Sequence, residues 1–301
     1  MNSKGIAATV VSAMLFGGTP VLVSMVYGYG ATPETVSFYR AVFAAVILLT
    51  LCAIRRESLR FTKKQLAAIV LAGICVAATN VLLYSAYDHI GVGTSTTLHF
   101  LYPVFVVAGC RLFGEKIGKT RGVALIAACA GMAFFLDPGG GLALAGIVPA
   151  VVSAVTYALY MILVDKFDLK SIPPFSLSAA LMLVGCVFLP IYNLATNRIV
   201  YILPAPAFLL IAAVALLASV CAVVLLQIGI RQLGSGTASI FCTFEPLTGV
   251  LFGCLFLQER LTLRSALGSA VILGAVTLLT LGERAQEKRN KESLTYGTSQ
   301  N

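Results

Sequence analysis

The chain alternates long apolar segments with short polar connections. Its ten apolar segments lie at 5–27, 34–54, 65–87, 92–113, 120–137, 144–165, 174–194, 205–231, 235–257 and 263–282. A helix needs about 20 residues to cross the hydrocarbon core of a bilayer. The strands of a membrane barrel would instead alternate in polarity within segments of about ten residues. The pattern therefore predicts an all-α polytopic membrane protein with ten transmembrane helices.

Composition and charge distribution support this prediction. Apolar residues make up 59% of the 301 residues and charged residues 11%, against about 25% charged residues in soluble domains. The net charge of +9 does not indicate a nucleic-acid partner, because Lys and Arg lie in the short connections. With both termini cytoplasmic, 17 basic residues lie inside and three, Arg198, Arg260 and Arg264, lie outside. The positive-inside rule therefore predicts a multi-pass protein of the cell membrane with cytoplasmic N- and C-termini.

The sequence also contains an internal duplication. Under shifts of 141 and 143 positions, the matched residues are Val10–Ala13 with Val151–Ala154, Pro33 with Pro174, and Pro103 with Pro246. Each copy has five predicted spans, an odd number, so the second copy must enter the membrane in the opposite sense. We expect a first repeat at 1–140, a second, inverted repeat at 141–283 and a cytoplasmic polar tail at 284–301. Inverted repeats are typical of transporters whose substrate site lies near the bilayer midplane.

Several short motifs recur in both copies at matching spacing. They are the turns Gly91-Val92-Gly93-Thr94 and Gly234-Ser235-Gly236-Thr237 and the Tyr102-Pro103 and Glu245-Pro246 steps. The first copy also contains Phe38-Tyr39-Arg40-Ala41. With these motifs, the chain resembles the EamA family of the drug/metabolite transporter superfamily from about residue 5 to 283. The resemblance implies metabolite export or import, with the third, fourth, eighth and ninth spans lining a central cavity.

Two ionisable residues stand out as candidate substrate-binding and coupling groups. Glu245 lies within the ninth predicted span, where a charge is costly unless it faces a cavity or a partner. His99 lies in the fourth span on one helical face with Tyr102, and a histidine can change its charge near neutral pH. Either side chain could instead serve only as a structural hydrogen-bonding group. Pro103 and Pro246 are expected to break the helices beside these residues.

Further polar residues lie on faces of otherwise apolar spans. The candidates for lining the substrate site are Asn80 and Tyr84 on the third span, Tyr157 and Tyr160 on the sixth, Gln227 on the eighth and Arg40 on the second. Such residues either line a pathway or link helices by hydrogen bonds. Aromatic side chains could hold an amine by cation–π contact, and Arg40 could attract a carboxylate.

These features predict a secondary-active transporter of small metabolites such as amino acids or amines. The sequence has no Walker A motif, so a proton or solute gradient is the expected driving force. The alternative is a flippase of lipid or polyprenyl headgroups. An intramembrane enzyme is favoured least, because neither a His-Glu-x-x-His motif nor a serine nucleophile with a His base can be found.

No cofactor or metal site is expected, since none of the eight cysteines belongs to a Cys-x-x-Cys pair. The expected partners are a small-molecule substrate and the lipid bilayer. A monomer is sufficient for this function, and small-residue helix faces leave a homodimer open.

Overall fold

The chain forms a bundle of helices. The computed structural model describes residues 2–115, 118–134 and 144–256. It also describes twelve further positions, all helical: 263, 266–268, 270, 271, 273–275, 277, 278 and 281. No β-strand occurs among these residues. In the same part of the chain, six helices are long and apolar enough to cross a membrane: Ser3–Tyr27, Pro33–Arg55, Lys63–Ile90, Leu144–Lys166, Pro174–Thr196 and Ala205–Leu233. The prediction of an all-helical polytopic membrane protein is confirmed, while the tail at 284–301 lies outside the described residues.

The first half of the chain supplies five helical segments. They are α1 (Ser3–Tyr27), α2 (Pro33–Arg55), α3 (Lys63–His99), α4 (Tyr102–Leu112) and α5 (Lys119–Ala133). The boundaries follow local chemistry. Thr32 caps α2 by accepting the N–H of Thr35, with Pro33 in the first turn. Thr62 and Gln65 form a reciprocal capping box at the start of α3.

The second half contains shorter and less regular segments. They are α6 (Leu144–Lys166), a 3₁₀ turn (Leu169–Ser171), α7 (Pro174–Thr196), α8 (Ala205–Val214), a π-helical segment (Ala215–Ala222), α9 (Val223–Leu233), α10 (Ser235–Phe241), a 3₁₀ turn (Cys242–Phe244) and α11 (Glu245–Phe256). The π-helical segment joins α8 to α9 within one continuous apolar stretch. Such segments are often found at functional sites.

Helix α3 is not a straight rod. The hydroxyl of Thr79 lies 2.7 Å from that of Thr156, and Nδ1 of His99 lies 2.8 Å from the hydroxyl of Ser153, one turn away on α6. A straight helix would separate residues 79 and 99 by about 30 Å. The chain therefore reverses direction between them, which agrees with separate third and fourth spans, although the predicted connection at 88–91 is itself helical.

Three predicted spans are interrupted. The span at 92–113 breaks at Phe100 and Leu101, 205–231 contains the π-helical segment, and 235–257 contains the 3₁₀ turn. The breaks at 100–101 and 242–244 lie just before Pro103 and Pro246, whereas nothing in the sequence indicates the π-helical segment, because hydrophobicity stays high on both sides of it. Pro103 and Pro246 lie in the first turn of the helix that follows a break, where the missing N–H costs no hydrogen bond.

The contacts define two ends of the bundle. At one end, which we call the basic end, Gly5 packs on Gln232, Ser176 donates to Glu57, and Gln65 donates to Asp168. At the opposite end, Thr32 donates to the carbonyl of Arg198 and Gly146 packs on His89. Helix α1 thus begins at the basic end, whereas α6 begins at the opposite end.

Candidate functional site

Two positions that the duplication makes equivalent meet inside the bundle. Tyr102 is the first residue of α4 and Glu245 is the first residue of α11. The Tyr102 hydroxyl lies beside the Glu245 carboxyl group and the Cys242 thiol. Tyr102 is fully buried, and Glu245 is 6% exposed. A carboxyl group and a phenol, each at the start of a helical segment, therefore face each other across the boundary between the two halves.

Five rings form an aromatic cluster beside this pair: Phe16, His99, Tyr102, Tyr157 and Tyr160. The ring centroids of Tyr102 and Tyr157 are 4.8 Å apart in an edge-to-face arrangement, and His99 lies 5.4 Å from both. The ring centroids of Phe16 and Tyr160 lie 6.5 Å and 5.8 Å from that of Tyr157. Aromatic faces next to a carboxyl group suit a cationic or amphipathic ligand.

His99 is oriented by a hydroxyl on α6. Ser153 donates to the carbonyl of Ala150 at 2.6 Å, so its oxygen accepts the hydrogen on Nδ1 of His99 at 2.8 Å. In the neutral ring, Nε2 is then the acceptor. The histidine therefore presents a fixed Nε2 that can accept a hydrogen bond.

In this region, four buried polar atoms make no hydrogen bond of ordinary geometry to another described residue. They are the hydroxyl oxygens of Tyr87 and Tyr102, Oε1 of Gln227 and Oε1 of Glu245. Tyr87 and Tyr102 both interact electrostatically with Glu245, and Nε2 of Gln227 donates to Tyr160 at 3.4 Å. Buried polar atoms are nearly always paired. This group of atoms is therefore suited to receiving the polar groups of a ligand.

A buried arginine provides the opposite charge. Nε of Arg40 donates to the hydroxyl of Ser219 at 2.6 Å, and Nη1 donates to the hydroxyl of Tyr84. Ser219 belongs to the π-helical segment. Arg40 also interacts electrostatically with Tyr87 and Tyr157, the same tyrosines that interact with Glu245. A cation and a carboxyl group thus both interact with the same two tyrosines.

A small cavity lies between α2, α3 and α7. Its lining residues are Ser37, Arg40, Ala41, Gly73, Val76, Ala77, Asn80, Leu181, Met182, Gly185 and Leu189. Asn80 contributes to this cavity with Arg40. The duplication makes Arg40 equivalent to Leu181, so the cavity has one charged and one apolar wall.

The structure sorts the candidates from the sequence into groups. Glu245, His99, Tyr102, Tyr157 and Tyr160 lie together, with Gln227 bonded to Tyr160, while Arg40, Tyr84 and Asn80 form a neighbouring group. The sequence-based site omitted Phe16, Tyr87, Ser219 and Cys242. Cys242 had a usable signal, since it is equivalent to His99 under the shift of 143. Ser219 had none, because it lies in a continuous apolar stretch.

Comparisons with known proteins agree on one family. The profile of the EamA-like transporter family matches residues 3–136 and again 144–281. An uncharacterized transporter of Archaeoglobus fulgidus is 27% identical over 274 residues, which cover 91% of this chain and 95% of that protein. The threonine/homoserine exporter RhtA of Escherichia coli K12 is 24% identical over 236 residues, 76% of each chain. One solved crystal structure has the same fold, with a TM-score of 0.78 at 18% identity, covering 93% of this chain and 99% of the other.

Proposed function

Because this chain belongs to the EamA-like transporter family, we propose that it is a secondary-active transporter of small metabolites, with its substrate site between two inverted five-helix repeats. The observation that carries the proposal is the buried polar group around Glu245, in which the Tyr87 hydroxyl and Oε1 of Gln227 have no hydrogen-bond partner among the described residues. A soluble or purely structural bundle gains nothing from leaving such atoms unpaired, because each costs about 1–3 kcal/mol.

Three observations support the two repeats, with boundaries at 1–140 and 141–283. The family profile matches twice, once in each half. Helices α1 and α6 begin at opposite ends of the bundle. The equivalent residues Tyr102 and Glu245 lie side by side, as expected for positions close to a twofold axis. Ten spans arranged in this way would leave both termini on one side.

The charge distribution supports a cytoplasmic location of the basic end and of both termini. The basic residues of the described part at this end are Lys4, Arg55, Arg56, Arg60, Lys63, Lys64, Arg111, Lys119, Lys166, Lys170 and Arg231, whereas Arg198 lies at the other end. The positive-inside rule assigns the basic end to the cytoplasm.

The chemistry of the site favours a solute that carries an ammonium group. Glu245 would accept hydrogen bonds from that group, and Tyr102 and Tyr157 would contact its charge through their rings. Arg40 would attract a carboxylate, so an amino acid fits the pair of opposite charges better than a simple amine. RhtA, which is named as a threonine/homoserine exporter, is a relative whose solutes carry both of these groups.

Proton coupling would use Glu245 and His99, which flank Tyr102. Solute binding to the Glu245 carboxylate and protonation of that group exclude each other, which gives exchange of solute for proton. His99 would hold a second proton at Nε2, because Nδ1 is already bonded to Ser153.

Counterflow in proteoliposomes tests the proposal. The purified full chain is loaded with one unlabelled solute at a time and presented with labelled threonine, phenylalanine, putrescine and glucose, without nucleotide. We expect saturable uptake of at least one amino acid that is competed by its unlabelled form. Uptake of none of them, together with translocation of a fluorescent phospholipid, would instead favour a lipid flippase.

The variant Glu245→Gln tests the site. Hydrogen bonds to charged groups contribute about 1.5–3 kcal/mol, so we expect the affinity for an ammonium-bearing solute to fall about tenfold or more and its pH dependence to flatten. Glu57→Gln is the matched control, because Glu57 lies at the basic end and is bonded to Ser176. Unchanged transport by Glu245→Gln across pH would assign Glu245 to scaffolding.

A further inference from the structure

A second buried carboxylate lies at the basic end, away from Glu245. The side chain of Asp165, near the end of α6, is 1% exposed. Oδ1 accepts from Nζ of Lys170 at 2.6 Å, and Oδ2 accepts from the hydroxyl and the backbone N–H of Ser235 at 2.9 and 3.2 Å. Nζ of Lys166 lies 3.3 Å from the same oxygen. Asp165 thus fixes the first residue of α10 to the end of α6.

Two further contacts extend this network to the first half of the chain. Lys166 forms an ion pair with Glu115, which follows α4. The thiol of Cys110, on α4, lies 3.1 Å from the hydroxyl of Ser235. The network therefore ties together α4 of the first half and α6 and α10 of the second half.

Among the described residues, opposite charges in the network are paired. Two carboxylates, Asp165 and Glu115, are matched by two ammonium groups, Lys166 and Lys170. Atoms of Cys110, Glu115 and Asp165 lie within 4.8 Å of one another, but both carboxylates already bind lysines. The arrangement suits a reversible ionic contact between helices better than a cation site.

The network lies at the start of α10, and the chain leads from there through α10 and a 3₁₀ turn to Glu245. Ser235 is ten residues before Glu245, a rise of about 15 Å along a helix. Between them, Ile240 and Phe241 of α10 pack with Val107 of α4 in one buried apolar cluster. Gly234, with φ of +77°, makes the turn between α9 and α10 in a conformation that L-residues rarely adopt. Between Glu245 and the basic end, the chain therefore has first apolar packing and then the ionic network.

We propose that the network of Cys110, Glu115, Asp165, Lys166, Lys170 and Ser235 is the gate of the transport pathway at the basic end, and that it opens when α10 separates from α4 and α6. The proposal rests on the proposed transport function. The partly exposed ion pair of Lys166 with Glu115 can be replaced by contacts with water at low cost. The buried Asp165, by contrast, keeps its contacts with Ser235 only while the gate is closed.

A disulfide across the gate tests the proposal. In Ser235→Cys, the new thiol stands next to the native Cys110, and copper-phenanthroline oxidises the two thiols to a disulfide. We expect the oxidised protein in proteoliposomes to lose at least tenfold in counterflow of the labelled amino acids and amines named above. A reductant restores the rate. In the control, Cys110→Ser with Ser235→Cys, no disulfide can form at this position, so the transport rate should be the same with and without the oxidant.

The possible results separate the two proposals. A cross-linked protein that still transports at the control rate would overturn the gate, and so would failure of the two cysteines to cross-link. Absence of counterflow in the reduced variant and in the unmodified protein, over the whole solute panel, would overturn the transport function itself.

A second measurement does not depend on the solute. A membrane-impermeant maleimide is applied from the basic end, and modification of Cys242, which lies beside Glu245, is quantified by peptide mass spectrometry. We expect Asp165→Asn to raise the rate at least fivefold, because the open gate admits the reagent. Asp168→Asn removes an exposed carboxylate three residues away and should leave the rate unchanged. Equal modification rates of Cys242 in the unmodified protein, Asp165→Asn and Asp168→Asn would refute the gate.

Discussion

At the scale of single residues, the bundle holds two ionisable side chains where charge is expensive. Arg40 and Glu245 are 5% and 6% exposed, and both interact with Tyr87 and Tyr157. A charge in a membrane interior costs about 2.5–3.5 kcal/mol or more. Such a cost is usually retained for a functional reason, and opposite charges around shared tyrosines match a zwitterionic solute.

Arg40→Lys tests how the positive charge is held. The guanidinium bonds Ser219 and Tyr84 in two directions at once, whereas an ammonium group has no planar fork. Loss of one such bond costs about 1–3 kcal/mol, so we expect a lower melting temperature in detergent and weaker binding of carboxylate-bearing solutes. Arg198→Lys is the control, because Arg198 is exposed and pairs with Glu34. An equal loss in both variants would contradict a special role for Arg40.

The sequence predicts unusual residues better than their partners. Glu245 and Arg40 can be singled out because an ionisable residue in an apolar span is rare. Ser219 cannot, because it is 179 positions away from Arg40 and its neighbours are apolar. Tyr87 also lies near a predicted span end, where anchoring at the membrane surface is the usual role, although the fold places it near Glu245.

At the scale of elements, the site is formed by helices that begin inside the bundle. Helix α4 begins at Tyr102 and α11 at Glu245, each after a short break. The start of a helix carries a partial positive charge, which stabilises a carboxylate there. Discontinuous helices of this type are common at transporter substrate sites.

The breaks at 100–101 and 242–244 are invisible to hydrophobic periodicity. Only the prolines that follow them, Pro103 and Pro246, give a local signal. The presence of membrane-spanning helices is easier to predict, because the length of an apolar segment can be compared directly with the thickness of a bilayer.

Gly17→Ala tests the packing of α1 against the start of α11. A Cβ at Gly17 would collide with Thr248 and with the carbonyl oxygen of Glu245. Alanine gains about 1 kcal/mol in helix propensity over glycine, but overpacking costs about 1–3 kcal/mol. We therefore expect lower thermal stability and reduced transport.

Gly118→Ala serves as the control for this substitution, because nothing lies within 4 Å of a Cβ there. If Gly17→Ala melted at the same temperature as Gly118→Ala and transported equally well, the close approach of α1 to Glu245 would be wrong.

At the scale of the whole molecule, the two halves are expected to cross the membrane in opposite senses. Positions 60 and 201 are equivalent under the shift of 141, and both Arg60 and Tyr201 are exposed. In a variant without native cysteines, we expect an impermeant maleimide to label Tyr201→Cys on intact cells. Arg60→Cys should react only after permeabilisation. Labelling of both from the same side would contradict inverted repeats.

For the described residues, the gathering of basic side chains at one end could be predicted from the sequence, because it depends on position along the chain and not on packing. The meeting of Tyr102 with Glu245 needed the duplication as well, since only a twofold relation brings equivalent positions together. The ionic network around Asp165 needed the structure, because its members come from separate connections.

The central claim is that solute binds where Tyr102, Tyr157 and Glu245 meet. Cys242 lies beside Tyr102 and Glu245, whereas Cys186 lies on α7 outside this group. The most direct test is the rate at which a small maleimide modifies each cysteine in the purified protein, with and without a saturating transported solute. We expect the solute to slow modification of Cys242 severalfold and to leave the modification rate of Cys186 unchanged. Unchanged modification of Cys242 at saturating solute would contradict the central claim.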